Sequence, residues 1–280
     1  MNTVYYHIKL FRPLNVFIAG LAMIIASAIM GTLHEIEIVL IVMLVVMSFA
    51  AAANALNDVV DVEIDRINRP MRPIPSGNVK KSSALILSCL LFIVGTILCL
   101  KLPESAKVIG IVIAMPLMII YSKYLKGLPL IGNITIAFIL GLSFLFCGAA
   151  FNATTSMWIP MVLAFGLTLV RELVKDIADM DGDQSLGLKT FPIVVGIEKA
   201  IQLTIFLSAC IGVVAFIPFL NGIYGIWYGI LLILGVEIPL GVVVASLLNN
   251  PGISSASHAA RILKFSTLMG LIAIYAGTLS

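Results

Sequence analysis

Seven aspartates occur in the 280-residue chain, and all of them fall in two short stretches: Asp58, Asp61 and Asp65, then Asp176, Asp179, Asp181 and Asp183. At about 100° per residue, Asn54, Asn57, Asp61 and Asp65 share a helical stripe roughly 80° wide, with Asp58 near its edge. Glu172, Asp176, Asp179 and Asp183 form a comparable stripe, whereas Glu63 and Asp181 point away. Like charges three or four residues apart on a helix repel one another, and a membrane boundary makes them more expensive still. A cation must offset that repulsion. The donors are all oxygen, with no His or Cys nearby, which selects Mg2+ over zinc or copper. Because Mg2+ is bound through a few carboxylates plus substrate phosphates, two facing stripes imply a metal-bridged diphosphate.

Basic groups flank the acids. The segment DRINRPMRPIPSG sets Arg66, Arg69 and Arg72 among stiffening prolines, and a guanidinium matches phosphate oxygens in forked geometry. Arg66 is equally accounted for by electrostatic anchoring at the membrane face. The segment YSKYLKG offers Tyr121, Lys123, Tyr124 and Lys126. Lys126 could neutralise a departing diphosphate with a tyrosine donating beside it, although an interfacial belt of snorkelling side chains uses the same residues. Arg171 and Lys175 interleave with the second stripe, to pair with its acids or to reach substrate. Arg12, Lys80, Lys81 and Lys189 could supply a second basic site. Glu237 lies two residues before Pro239 within an apolar run, either lining a substrate cavity or as a protonated core group. The three histidines are too dispersed for a metal site, and the four cysteines, without CxxC spacing, are packing residues.

The elements that position these groups must cross a membrane. The chain is 61% hydrophobic and 11% charged, with mean hydropathy +1.14; soluble domains carry about a quarter charged residues. Apolar runs predict nine spans near residues 14–33, 38–58, 83–101, 107–121, 130–151, 157–174, 198–219, 224–247 and 261–279. If the N-terminus is cytoplasmic, every one of the 17 Lys and Arg residues falls on the inside except Lys101 and Lys107, as positive-inside topology requires. The C-terminus is then outside, and both acid-rich stretches lie at the cytoplasmic edge. Each stretch ends an outward-to-inward helix and is followed by a Pro/Gly loop and a lysine, a weak duplication in which the second and third spans echo the sixth and seventh. The chain is expected to form one all-α, polytopic transmembrane domain over residues 1–280. A net charge of +3 gives no reason to invoke nucleic acid; the expected partners are membrane lipids and diphosphate or lipid-phosphate substrates.

These motifs identify a resemblance that covers essentially the whole chain. Asn57-Asp58-Val59-Val60-Asp61-Val62-Glu63-Ile64-Asp65, followed by NRPMRP, resembles the NDxxDxxxD motif of the UbiA superfamily of intramembrane prenyltransferases. Asp179 to Asp183, within RELVKDIADMDGD, resembles its second motif, DxxxD. The superfamily's YxxxK pattern is shifted here: Tyr121 and Lys126 are five residues apart. The resemblance implies nine helices around a central cavity with cytoplasmic caps over the active site. It also implies Mg2+ ligation by Asn57, Asp61, Asp65, Asp176, Asp179 and Asp183, with Asp61, Asp65, Asp179, Asp183 and Lys126 catalytic. Substrate contacts would come from Asn57, Asp58, Arg69, Arg72, Tyr121, Lys123, Arg171, Lys175 and Arg12.

Within the superfamily, the NRPMRPIPSG and RELVKDI stretches look most like archaeal members that join geranylgeranyl diphosphate to geranylgeranylglyceryl phosphate. Three other readings are weighed. An aromatic prenyltransferase would take a hydroxybenzoate or naphthoate acceptor. A CDP-alcohol phosphatidyltransferase would show DGxxAR, but Asp181-Gly182 is followed by Asp183-Gln184-Ser185. A cation-coupled transporter would want its acids near the midplane, where only Glu237 lies.

Overall fold

Every regular element is a helix among the residues that the structure, a computed structural model, describes: 3–185 and 187–279, without the side chains of Thr3 and Asn68. Eight helices are long and apolar enough to cross a membrane. A ninth span is available if Val4–Leu10 and Pro13–Ile29, bent by 54°, are taken together. The chain is a multi-pass membrane protein. It divides into two compact units, Met1–Leu125 with Leu145–Thr155, and Lys126–Phe144 with Ser156–Ser280.

In the first unit, α1 (Thr3–Leu10) turns into α2 (Pro13–Ile29) through Arg12, whose φ of 53° is left-handed. Pro13 opens α2 at a position where a missing N–H costs nothing. The first span was expected over 14–33, but α2 stops at Ile29 because the chain reverses at Gly31, where φ is +70°. α3 (Ile36–Val60) carries the first acids at its end and continues after a break as α4 (Val62–Asn68). It packs against α2 and α5 (Lys81–Cys99). A Cβ on Gly95 of α5 would lie 2.5 Å from the Phe49 ring, so this crossing depends on the missing side chain. Ser88 Oγ also donates to Ala52 O at 2.8 Å. α6 (Glu104–Leu125) follows and packs on α3 through its last two segments.

α6 widens into π-helical turns at Val108–Ala114 and Tyr121–Leu125. The first wide stretch ends two residues before Pro116, and another, Ile233–Glu237, ends two residues before Pro239. A proline removes one N–H and crowds the carbonyl four residues back; a wide turn relieves both without ending the span.

The second unit contains most of α7 (Ile131–Ala150), then α8 (Trp158–Ala178), α9 (Met180–Ser185) and α10 (Phe191–Val195). The spans α11 (Ile197–Leu220), α12 (Ile226–Asn249) and α13 (Ile253–Gly277) complete it. α8, which bears the second acids, packs against α11 and α13, and α12 against α13. The last span, expected over 261–279, begins at Ile253, so Arg261 and Lys264 lie within the helix. Ala256, Ala259 and Leu263 bury the inner face of those early turns, leaving the basic side chains on the other.

Candidate active site

The first acid end is built around a helix interruption. Asp61 has φ −83° and ψ 8°, and separates α3 from α4. The ladder nevertheless continues across it: Asp61 N donates to Asn57 O at 2.8 Å and Asp65 N to Asp61 O at 2.7 Å. Asp58, Asp61 and Asp65 are each 3% exposed. Such burial requires compensation, and for Asp58 and Asp65 two arginines supply it. Asp58 Oδ1 accepts from Arg12 Nη2 at 2.9 Å and from Arg72 Nη1 at 3.1 Å; the same Nη1 donates to Asp65 Oδ2 at 2.5 Å. Burial pushes the Asp65 carboxyl above its ordinary range, Arg72 pulls it back, and Asp58 and Asp61 add to the upward push.

Local structure delivers both guanidiniums. Arg12 sits at the α1–α2 bend, and Asn54 Nδ2 donates to Phe11 O at 2.9 Å to hold that bend against α3. Arg72 belongs to a turn-rich loop in which Ser76 Oγ donates to Arg72 O at 2.7 Å and Val79 N to Pro73 O at 2.9 Å. Ile74 and Val79 of that loop bury against Tyr6, Leu10, Ala55, Val59, Val62 and Ala84. Asn54 therefore has a structural task, while Asn57 presents a buried Oδ1 with no hydrogen-bond partner.

The second acid end repeats the design. Asp179, with φ −95° and ψ 2°, separates α8 from α9. Asp179 N donates to Lys175 O and Asp183 N to Asp179 O, both at 2.9 Å. The spacing is the same in both ends: Asp58, Asp61 and Asp65 against Asp176, Asp179 and Asp183. Glu172, 7% exposed, is engaged by Arg171 Nη1 at 3.0 Å and Lys175 Nζ at 3.1 Å, and the charge of Lys126 also acts on it. Asp176 Oδ2 accepts from Asn133 Nδ2 at 2.8 Å. Glu63 and Asp181 are exposed, as helical phase requires.

Several expected substrate contacts are engaged within the protein. Arg12 and Arg72 hold Asp58, and Arg171 and Lys175 hold Glu172. Arg69, Lys123 and Lys126 are exposed, and Tyr121 is half-buried. The i→i+5 bonding of the wide turn Tyr121–Leu125 brings a residue five positions on closer to the same face than an α-turn would. Lys126 follows directly after that turn. Sequence reasoning passed over Asn133, whose one signal is an amide two residues into an apolar run. It also passed over Thr190, whose buried hydroxyl has no partner.

Among the described residues, no three His, Cys, Asp or Glu side chains converge into a ready metal cage. Mg2+ does not require one, since it keeps waters and takes one or two carboxylates with substrate phosphates. The all-oxygen donors and the unpartnered Asn57 Oδ1 fit that ion.

The sequence profile of the UbiA prenyltransferase family matches residues 15–268. Digeranylgeranylglyceryl phosphate synthase of Methanopyrus kandleri is 35% identical over 275 residues, covering 98% of this chain and 99% of that protein. The enzyme of the same name from Methanobrevibacter smithii is 33% identical over 283 residues, with 97% of each chain covered. A solved structure from work on digeranylgeranylglyceryl phosphate synthase in membranes superposes with TM-score 0.82 at 32% identity, covering 100% of this chain and 99% of that one. A UbiA homologue from Archaeoglobus fulgidus, solved bound to DMAPP and Mg2+, shares the fold with TM-score 0.62 at 17% identity, with 96% and 98% covered. The chain belongs to the UbiA prenyltransferase family.

Proposed function

We propose that this protein transfers a geranylgeranyl group from geranylgeranyl diphosphate to the free hydroxyl of geranylgeranylglyceryl phosphate, forming an ether bond of archaeal-type membrane lipid. The observation that carries this reading is the near full-length identity to relatives of that activity's name. The two acid triads at matched helix breaks, the first buried and the second half-buried, support it chemically.

Asn57, Asp61, Asp65, Asp176, Asp179 and Asp183 would hold Mg2+, which when bound grips diphosphate oxygens and neutralises charge growing on the leaving group. Arg72, poised on Asp58 and Asp65, exchanges a carboxylate for a phosphate oxygen as substrate arrives. Arg69 and Lys126 would donate to the diphosphate, with Tyr121 as a further donor. The apolar spans bury the isoprenoid at about 0.8 kcal/mol per CH2 and keep water from the reacting carbon. The C1–O bond to diphosphate breaks, the acceptor oxygen bonds to C1, and its proton leaves to solvent. The distribution of Lys and Arg supports a cytoplasmic N-terminus with both acid ends on that side.

The test is a competition: purified protein with geranylgeranyl diphosphate and Mg2+, offered geranylgeranylglyceryl phosphate and 4-hydroxybenzoate together. The ether product alone is expected. A prenylated hydroxybenzoate as the main product would overturn the acceptor, and Mg2+-dependent binding with no transfer to either acceptor would overturn the reading as a whole.

A further inference from the structure

Asp58 and Asp176 hold the same place in the two triads, yet they are treated differently. Asp58 is neutralised by two guanidiniums, those of Arg12 and Arg72. The hydrogen bond to Asp176 comes instead from a neutral amide, Asn133 Nδ2, at 2.8 Å. Asn133 is 5% exposed and lies in the first turn of α7; Asp176 lies in the last turn of α8. The adjacent Lys175 directs its ammonium to Glu172 at 3.1 Å, and its charge also acts on Asp176.

The chemistry of the partner decides what a buried carboxylate can do. The amide presents its NH2 to the carboxyl oxygen, which accepts. A guanidinium in that place would satisfy the carboxylate and compete with any arriving cation. An amide fixes the orientation of the group and adds no charge of its own. It engages Oδ2, so Oδ1 would be the oxygen offered to a cation, and Mg2+ accepts one carboxylate oxygen readily.

We propose that Asn133 is the positioning residue of the second acid triad, orienting Asp176 for the metal through a hydrogen bond that brings no charge of its own. This rests on Asp176 being a metal ligand, and the test separates the two claims. Full-length protein in detergent is titrated with Mn2+ in the presence of inorganic diphosphate, and bound metal is read by electron paramagnetic resonance. Thermal unfolding of each variant serves as the check on folding. Asn133→Ala is expected to weaken Mn2+ binding roughly 10–100-fold, the usual effect of losing a group that orients a ligand. Asp176→Ala is expected to weaken it at least as much, and the double variant to be no weaker than Asp176→Ala alone. Should Asn133→Ala fail to fold, Asn133→Ser, which is polar but too short to reach, carries the same expectation. Wild-type Mn2+ affinity in the folded Asn133 variant, with affinity lost in Asp176→Ala, overturns the role of Asn133 alone. Wild-type affinity in Asp176→Ala overturns the ligand assignment and this inference with it.

Discussion

Arg72 Nη1 lies 2.5 Å from Asp65 Oδ2 and 3.1 Å from Asp58 Oδ1, so one nitrogen bridges two buried carboxylates seven residues apart on either side of a helix break. Removing a partner from such a pair leaves uncompensated buried charge, which costs about 3–5 kcal/mol. Arg72→Ala should therefore lower the thermal midpoint in detergent clearly, and added Mg2+ should recover part of the loss by replacing the missing positive charge. Arg72→Lys keeps the charge and loses the fork, so a smaller drop is expected. An unchanged midpoint in Arg72→Ala would show that the bridge adds nothing to the fold.

Asp61 stands at the first helix break, and Asp183 is the last member of the second triad. Replacing either with Ala should abolish prenyl transfer while the protein stays folded, because each change would remove a proposed metal ligand. Product formation and thermal unfolding measured on the same preparations check this. Full activity in either variant would sink the proposed mechanism.

Chelation should stop diphosphate release, and Mg2+ or Mn2+ should restore it. Zn2+ should restore it poorly, since the candidate ligands include no imidazole or thiolate. Release of diphosphate in excess EDTA would refute metal dependence.

Gly95 and Gly241 offer opposite outcomes for one substitution. Alanine improves helix propensity by about 1 kcal/mol at either site. At Gly95 the new methyl meets the Phe49 ring at 2.5 Å, and such overpacking costs about 1–3 kcal/mol. At Gly241 there is nothing within 4 Å. Gly95→Ala should lower the thermal midpoint and Gly241→Ala should hold or raise it.

Glu237 lies in the wide turn Ile233–Glu237, with a buried Oε1 lacking any hydrogen-bond partner and Oε2 2.8 Å from where a Cβ on Gly212 would be. A midspan charge is expensive. Glu237→Gln preserves the shape and removes the charge, so stability should hold or rise and turnover should stay within about twofold. A large fall in turnover would show that the carboxyl takes part in the reaction.

Hydropathy and charge made the spans legible, because a bilayer imposes a length and a residue class on each of them. The errors fall where a different physics decides. The first helix stops at Ile29 because of backbone reversal at Gly31, and the last begins at Ile253 because a helix admits Ser, His and Arg when small residues line its inner face. Helical phase correctly turned Glu63 and Asp181 outward and grouped the acids. It could not foresee that Arg12 would meet Asp58 from 46 positions away, or Asn133 Asp176 from 43. Those pairings belong to tertiary packing, and no local periodicity encodes them.

The wide turn at Tyr121–Leu125 changes how this helix should be aligned with others. A helix that can absorb one extra residue tolerates a single-codon insertion or deletion within a membrane span, without the register beyond it rotating out of place.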